Sequence, residues 1–299
     1  MDRLQAMKTF VAVVESGGFT AAARKLDVSL SVVSRVITEL EAHLGVRLLT
    51  RTTRVVRPTD TGAAYFENCR RILGEIEEAE LSAAGTHAAP RGHLVLTAPV
   101  LFGARYVMPI VVEYLQRYPE VDVSTLLLDR NVNFVDEGVD VAVRIGELPS
   151  SSLQAVPVGR VRRVVCASPA YLEAHGTPQT PDDLIHHTLI QTTGIAATPE
   201  WRFVHDGEPL AVRFRPRLAT TTNDSAVAAA IRGLGLARLL SYQVADELWD
   251  GKLRVVLAGY EPPPQPIHVI HREGRHAMQK VRAFLDLAID RLRADKSIN

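Results

Sequence analysis

The stretch SGGFTAAARKLDVSLSVVSRVITELEAHLGVRLLTRTTRVVRPTDTG, Ser16 to Gly62, decides the fold of the amino end. From Ser29 onward, Val33, Ile37, Leu40 and Leu44 recur at spacings of four, three and four, the stripe of a helix laid on a small core. Ser31, Ser34, Arg35 and Thr38 share the opposite face, which is short, polar and able to hydrogen-bond. Ser29 after Val28, and Thr20 after Phe19, each pair a capping oxygen with an apolar residue and predict two helix starts. Between the helices, Leu26, Asp27 and Val28 leave room only for a tight turn. Two short helices so joined form a helix-turn-helix, whose second helix fits the major groove and presents its N-terminal half to base edges. Ser29, Leu30, Ser31, Ser34, Arg35 and Thr38 are therefore candidate DNA contacts.

Gly45 supplies a C-terminal stop, and RLLTRTTRVVRP alternates apolar with basic residues up to Pro58, predicting a two-stranded wing. That wing carries Arg47, Arg51, Arg54 and Arg57, and no acid stands between Glu41 and Asp60. Guanidinium groups are planar, permanently charged and bidentate, so Arg51, Arg54 and Arg57 are candidate phosphate contacts. The overall formal charge of zero conceals a polarised chain: residues 1–59 hold nine Lys or Arg against five Asp or Glu, and residues 60–86 two against six. A small positive module on a neutral body suits selective rather than indiscriminate nucleic-acid binding.

From Asp60 to about Thr86, Tyr65, Cys69, Ile72, Ile76, Ala79 and Ala83 recur at four, three, four, three and four, predicting a long helix. Its acidic flanks (Glu75, Glu77, Glu78 and Glu80) and regular stripe ask for a second helix, most simply that of another copy, which makes the chain a homodimer. GTHAAPRG, Gly85 to Gly92, is a break of small residues and proline. The expected domains are thus 1–59 (DNA-binding), 60–90 (linker helix and hinge) and 91–299. Beyond the break HLVLTA, VDVSTLLL, VDVAVRI and RRVVCAS read as buried strands and 104–118 and 226–232 as helices, an alternation that predicts a mostly parallel α/β arrangement. The fold class is α+β overall.

Other chemistries find little support. Cys69 and Cys166 are far apart and suggest no disulfide framework, in keeping with a reducing, cytoplasmic setting. MDRLQAMKTFVAVVES reads as an amphipathic helix rather than a signal peptide, and no apolar stretch reaches membrane-spanning length. His186 and His187 are adjacent and lack further ligands at zinc spacing. GLGLA at Gly233 follows a helix instead of opening one after a strand, and no GxSxG elbow or phosphate loop occurs, so neither cofactor nor enzyme activity is expected. Arg213, Arg215 and Arg217 alternate around Pro216 as on a solvated edge strand. The alternative is a cytoplasmic small-molecule-binding or enzymatic α/β protein with an N-terminal oligomerisation module.

Ala22, Ala23, Leu26, Ser31, Ser34, Arg35, Ile37, Leu40, Glu41, Leu44, Gly45, Arg51, Arg54, Thr59 and Gly62 together resemble the N-terminal pattern of the LysR-type transcriptional regulators. Further matching pieces are YPEV from Tyr118, EGVDVAVRIG from Glu137, CASPAYL from Cys166 and GLGLARLLSYQVADEL from Gly233. The resemblance implies a winged helix-turn-helix, a dimerising linker helix, tetramers built as pairs of dimers, and operator or promoter duplex DNA as partner. It also implies an effector domain like periplasmic binding proteins, with one subdomain of 91–161 plus 266–299 and a second of 162–265. A ligand would then sit at strand and helix ends between them, where Thr97, Pro99, Val100, Leu101, Phe102, Arg144, Thr222, Asn223 and Asp224 are the candidates. Structural capping explains Thr97, Asn223 and Asp224 nearly as well. The apolar neighbours suit a small organic effector, aromatic or carboxylate.

Overall fold

The computed structural model describes residues 2–51, 56–83, 89–130, 134, 137–148, 153–192, 199–272 and 278–298. Its contacts divide the chain into two units, Met1–His93 and Leu94–Asn299.

In the first unit α1 (Arg3–Glu15) starts where Asp2 accepts hydrogen bonds from the Leu4 and Gln5 amides. Helix α2 (Phe19–Lys25) follows Gly18, which supplies no side-chain cap; Thr20, expected to be the cap, lies one residue inside the helix. The chain then turns at Asp27, whose φ of 55° is a left-handed conformation that aspartate tolerates better than most side chains. Helix α3 (Leu30–Leu44) begins at Ser29, whose hydroxyl accepts from the Val32 amide, and ends at Gly45 with φ 70°. Val33, Ile37 and Leu40 are buried with Phe10, Val13 and Ala22. Leu44, the last member of the expected stripe, stays exposed in the final turn before Gly45.

Strands β1 (Leu49–Arg51) and β2 (Val56–Pro58) pair antiparallel as the wing. The side chain of Glu41 holds its root, accepting from the amides of Leu48 at 2.8 Å and Leu49 at 3.0 Å. Helix α4 (Asp60–Ala83) runs for 24 residues, roughly 36 Å at 1.5 Å per residue. Its start is locked. The Thr59 amide donates to the Leu48 carbonyl, the Thr59 hydroxyl donates to the Arg47 carbonyl, and the Gly62 amide donates to that hydroxyl, each at 2.9 Å. A β-carbon on Gly62 would lie 1.9 Å from the Leu48 carbonyl oxygen, which is why glycine stands here. Tyr65 and Cys69, the first members of the α4 stripe, are engaged by their own unit: Tyr65 lies 5.5 Å from the Phe10 ring and Cys69 is buried in the same core. Ile72 and Ile76 farther along remain half-buried.

The second unit opens with β3 (Gly92–Ala98), a short α5 (Val100–Phe102), a π-helical turn at Gly103–Val107 and α6 (Met108–Arg117). There follow β4 (Val121–Leu127), β5 (Val141–Ile145), β6 (Gln154–Val161), β7 (Arg163–Ala167), α7 (Pro169–His175), β8 (Leu189–Thr192), β9 (Glu200–His205), β10 (Glu208–Arg213) and β11 (Leu218–Thr220). Then come α8 (Asn223–Ile231), β12 (Leu236–Leu240), α9 (Ala245–Trp249), β13 (Arg254–Val256), β14 (Gln265–His271) and α10 (Gln279–Ala294). Two five-stranded sheets result, in the orders β4-β3-β5-β14-β6 and β11-β8-β12-β7-β13, with β9 and β10 as a separate hairpin. The chain passes from the first sheet to the second after β6 and returns before β14.

Both sheets are mixed, where the sequence predicted mostly parallel ones. Strand β3 is parallel to β5, and β8 to β11 and β12, but β14 runs antiparallel to β5 and β6, and β7 to β12 and β13. The exceptions are the strands delivered by the two crossings: each enters from the neighbouring sheet, so no crossover helix within its own sheet sets its direction. Leu94, Leu96, Phe102, Tyr114, Val269 and Phe284 fill the core of the first sheet. Val165, Leu172, Trp201, Phe203 and Leu236 pack on one face of the second, and Val164, Cys166, Ile190, Val227 and Leu239 on the other. Burial pushes the Cys166 thiol up to about 12, and it raises Cys69 too, so both are inert packing residues.

Candidate functional site

On α3, Ser29, Leu30, Ser31, Arg35 and Thr38 are exposed and Ser34 is half-buried, so the residues read from the sequence as one face do lie on one side of a rigidly backed helix. Local bonds order this face. The Ser29 and Ser31 hydroxyls lie 2.9 Å apart, and Thr38 donates to the Ser34 carbonyl at 2.8 Å. Arg35 stands off Glu39 by 3.9 Å with 70% of its side chain exposed; a surface pair this long holds it weakly and leaves it available to another anion. Arg57 is exposed on β2 and Arg51 ends β1, while Arg54 lies outside the described residues.

In the second unit a cavity of about 230 Å³ lies between the sheets, lined by residues of both. Of the residues picked from the sequence, Pro99, Arg144 and Asn223 line it. Thr97 is buried one step behind, donating to the Leu126 carbonyl at 2.7 Å and accepting from Arg144 at 3.2 Å. Phe102 is fully buried, stacked on Tyr106 at 4.7 Å and edge-on to Tyr242 at 5.3 Å; it shapes the wall from within the core. Val100 is exposed and Leu101 half-buried against the core, and neither lines the cavity. Thr222 and Asp224 also lie off it. Thr222 donates to the Ser225 hydroxyl, and Asp224 accepts from the Ser225 amide, the local turn bonding that the capping alternative describes.

Asp129, which no local sequence pattern marks, bonds to the starts of both α5 and α8. One carboxylate oxygen accepts from the Val100 amide at 3.0 Å and the other from Asn223 Nδ2 at 3.2 Å. The Val100 amide at the start of α5 is therefore already bonded, and a single side chain joins the end of the first sheet to the first helical residue of α8. Arg105 makes a second link, donating to the Tyr242 carbonyl at 2.7 Å and pairing with Asp246.

Arg163 and Arg238, also absent from the sequence-based set, line the cavity with Arg130 and Arg144. Arg130 is bonded through both nitrogens to Glu137 at 2.8 and 2.9 Å. The other three have neutral partners among the described residues: Arg144 donates to the Val143 carbonyl and to Thr97, Arg163 to Gln265, and Arg238 to the Arg202 carbonyl. Burial lowers the pKa of Arg144 and of Arg163; burial and the charge of Arg163 pull Arg238 well below the ordinary arginine range. The Arg238 guanidinium lies 5.2 Å over the Phe203 ring, and its Nε is buried without a hydrogen-bond partner among the described residues. The register explains why these two were illegible: β7 and β12 pair antiparallel across seventy-odd residues of intervening chain, which no local pattern announces.

A winged helix-turn-helix with a long helix, followed by a two-sheet unit with a ligand-sized cavity, defines a regulator that carries an effector-binding domain. The chain belongs to the LysR family of bacterial transcriptional regulators: residues 4–63 match the bacterial regulatory helix-turn-helix protein, lysR family, and residues 87–293 the LysR substrate binding domain. It is 36% identical over 291 residues to an HTH-type transcriptional regulator of Xanthomonas campestris, covering 96% of this chain and 84% of that one. It is 31% identical to CrgA, a LysR-type regulator from Neisseria meningitidis of known structure, with a TM-score of 0.62 over 96% of this chain and 98% of that one. The full-length Vibrio cholerae virulence activator AphB superposes with a TM-score of 0.63 at 26% identity, covering 96% and 98%. The family consists of transcriptional regulators rather than enzymes. Among the described residues no helix is long and apolar enough to cross a membrane.

Proposed function

We propose that this regulator reads operator duplex through the exposed face of α3, with Arg51, Arg54 and Arg57 of the wing on phosphates, and that a small molecule between the two sheets changes its grip. The observation that carries the reading is the face itself: hydroxyls and one weakly held guanidinium on a capped helix whose other side buries Val33, Ile37 and Leu40. The assembly that suits it is a homodimer through the outer half of α4, where Ile72 and Ile76 are only half-buried, with pairs of dimers as the larger form. An effector that favours one sheet-to-sheet geometry shifts the balance only by its differential affinity, about 1 to 3 kcal/mol, and two linked reading heads convert that into a change of spacing on DNA.

The test is a gel-shift titration with salt on operator and random duplex. Arg35→Ala should narrow the preference for operator, whereas Arg57→Ala should weaken both duplexes about equally and reduce the salt slope by about 1. An Arg35→Ala protein that selects as well as its parent refutes the assigned face. Coupling to the cleft is tested without any ligand: Asp129→Asn, which weakens the link between Val100 and Asn223, should change the length or bend of the operator footprint. An unchanged footprint refutes the coupling.

A further inference from the structure

Resting on that reading of the cleft, we infer that its occupant is a small organic dianion, one of whose anionic groups sits between the guanidinium groups of Arg163 and Arg238. In the pairing of β7 with β12, Arg163 lies opposite Leu240 and Arg238 opposite Val165, so the two arginines are diagonal neighbours on one face of the second sheet. Like charges so placed repel, and partial burial strips them of the water that would screen them. Their protein partners are a Gln265 amide oxygen and a backbone carbonyl, which carry no formal charge. Among the described residues the buried Arg238 Nε also lacks a hydrogen-bond partner, so the protein leaves this guanidinium incompletely satisfied.

The number of charges follows from the lining. Arg130 is neutralised by Glu137, and Asp129 offsets one cation while both its oxygens are engaged by Val100 and Asn223. Among the described residues, Arg144, Arg163 and Arg238 against Asp129 leave an excess of two positive charges facing one space. The size follows from the volume: 230 Å³ at about 30 Å³ per water gives room for roughly eight water-sized groups. A short chain ending in two carboxylates meets both demands, and planar forks suit carboxylate and phosphate oxygens alike.

Isothermal titration of the full-length protein with succinate, inorganic phosphate, butyrate and succinamide tests this. Succinate should bind, butyrate at least tenfold more weakly, and succinamide not at all; phosphate binding in place of succinate would assign the dianion to a phosphoryl group rather than a carboxylate pair. Arg163→Gln and Arg238→Gln should each cost at least tenfold in succinate affinity, with Arg238→Lys between wild type and Arg238→Gln. The unliganded melting temperature of the glutamine variants should hold or rise, because each removes a desolvated cation, and this separates lost binding from lost folding. Undiminished succinate or phosphate binding in the double glutamine variant overturns the inference. So does tight succinamide binding, and if Asn223→Ala abolishes that, the cleft remains the effector's seat and only the charge assignment falls. Silence from all four probes also overturns the dianion, while the footprint response to Asp129→Asn, which needs no ligand, decides the cleft separately.

Discussion

Gly62→Ala should unseat the wing. The added carbon would lie 1.9 Å from the Leu48 oxygen, where real β-carbons essentially never come closer than 3.0 Å, so α4 must retreat by more than 1 Å. Overpacking of this kind costs about 1 to 3 kcal/mol. The retreat also strains the bonds from the Gly62 amide to the Thr59 hydroxyl and from the Thr59 amide to Leu48, each worth about 1 kcal/mol. Alanine's better helix propensity returns about 1 kcal/mol, leaving a net loss of at least about 2 kcal/mol. Gly74→Ala in the same helix is the internal control: its β-carbon meets nothing within 4 Å, so it should gain up to about 1 kcal/mol. For a unit of this size the loss corresponds to a drop of roughly 8 to 16 °C in melting temperature. Calorimetry of the full chain reads it. Both tryptophans, Trp201 and Trp249, lie in the second unit, so the N-terminal transition is the one seen in circular dichroism without a tryptophan signal. Equal shifts for the two variants would refute the argument from close approach.

Further outcomes follow from the same geometry. Ser29→Ala should cost about 1 kcal/mol by removing the acceptor for the Val32 amide, visible in the same N-terminal transition. Glu41→Ala strands the buried-side amides of Leu48 and Leu49, a loss of about 1 to 3 kcal/mol that should lower affinity for all duplexes in gel shifts by misplacing the wing. Phe102→Ala should cost about 3 to 5 kcal/mol in the second unit, and its melts should show this before any ligand is added. Glu113 on α6 is held below the ordinary carboxylate range chiefly by its hydrogen bonds from Arg291 on α10. Its contribution is therefore present above pH 4.5 and lost as the pH falls through the lowered value. Glu113→Gln should reduce stability at neutral pH and make the second unit's melting temperature less sensitive to acid; an unaltered acid profile would refute the assignment.

What could be read in advance was local. Helix α3 announced itself because Ser29, the Val33–Ile37–Leu40 stripe and Gly45 all fall within one element, and each does in space what its spacing implies. Thr20 misled because a capping oxygen is only a cap if the backbone bends there, and the chain bends earlier, at Gly18. The α4 stripe was visible, but periodicity shows that a face is apolar without showing what covers it, and Phe10 of α1 covers its start. In the second unit Arg144 was noticeable at the end of an apolar strand. Arg163 and Arg238 were not, since they become neighbours only through strand register. Strand β6 carries Pro157 in its interior, opposite His268 beside a register shift in β14, and so hid from any pattern that penalises proline.

The fastening at Thr59 and Gly62 gives α4 a mechanical character. With its first turn bonded to Leu48 and Tyr65 packed on Phe10, the helix is anchored to the helix-turn-helix and acts as a lever rather than a tether. A swing of roughly 5° about that pivot carries its far end through roughly 3 Å over a 36 Å arm. Conversely, a displacement of that size imposed at the tip arrives at α3 as a rotation, undiluted by any swivel at the fulcrum.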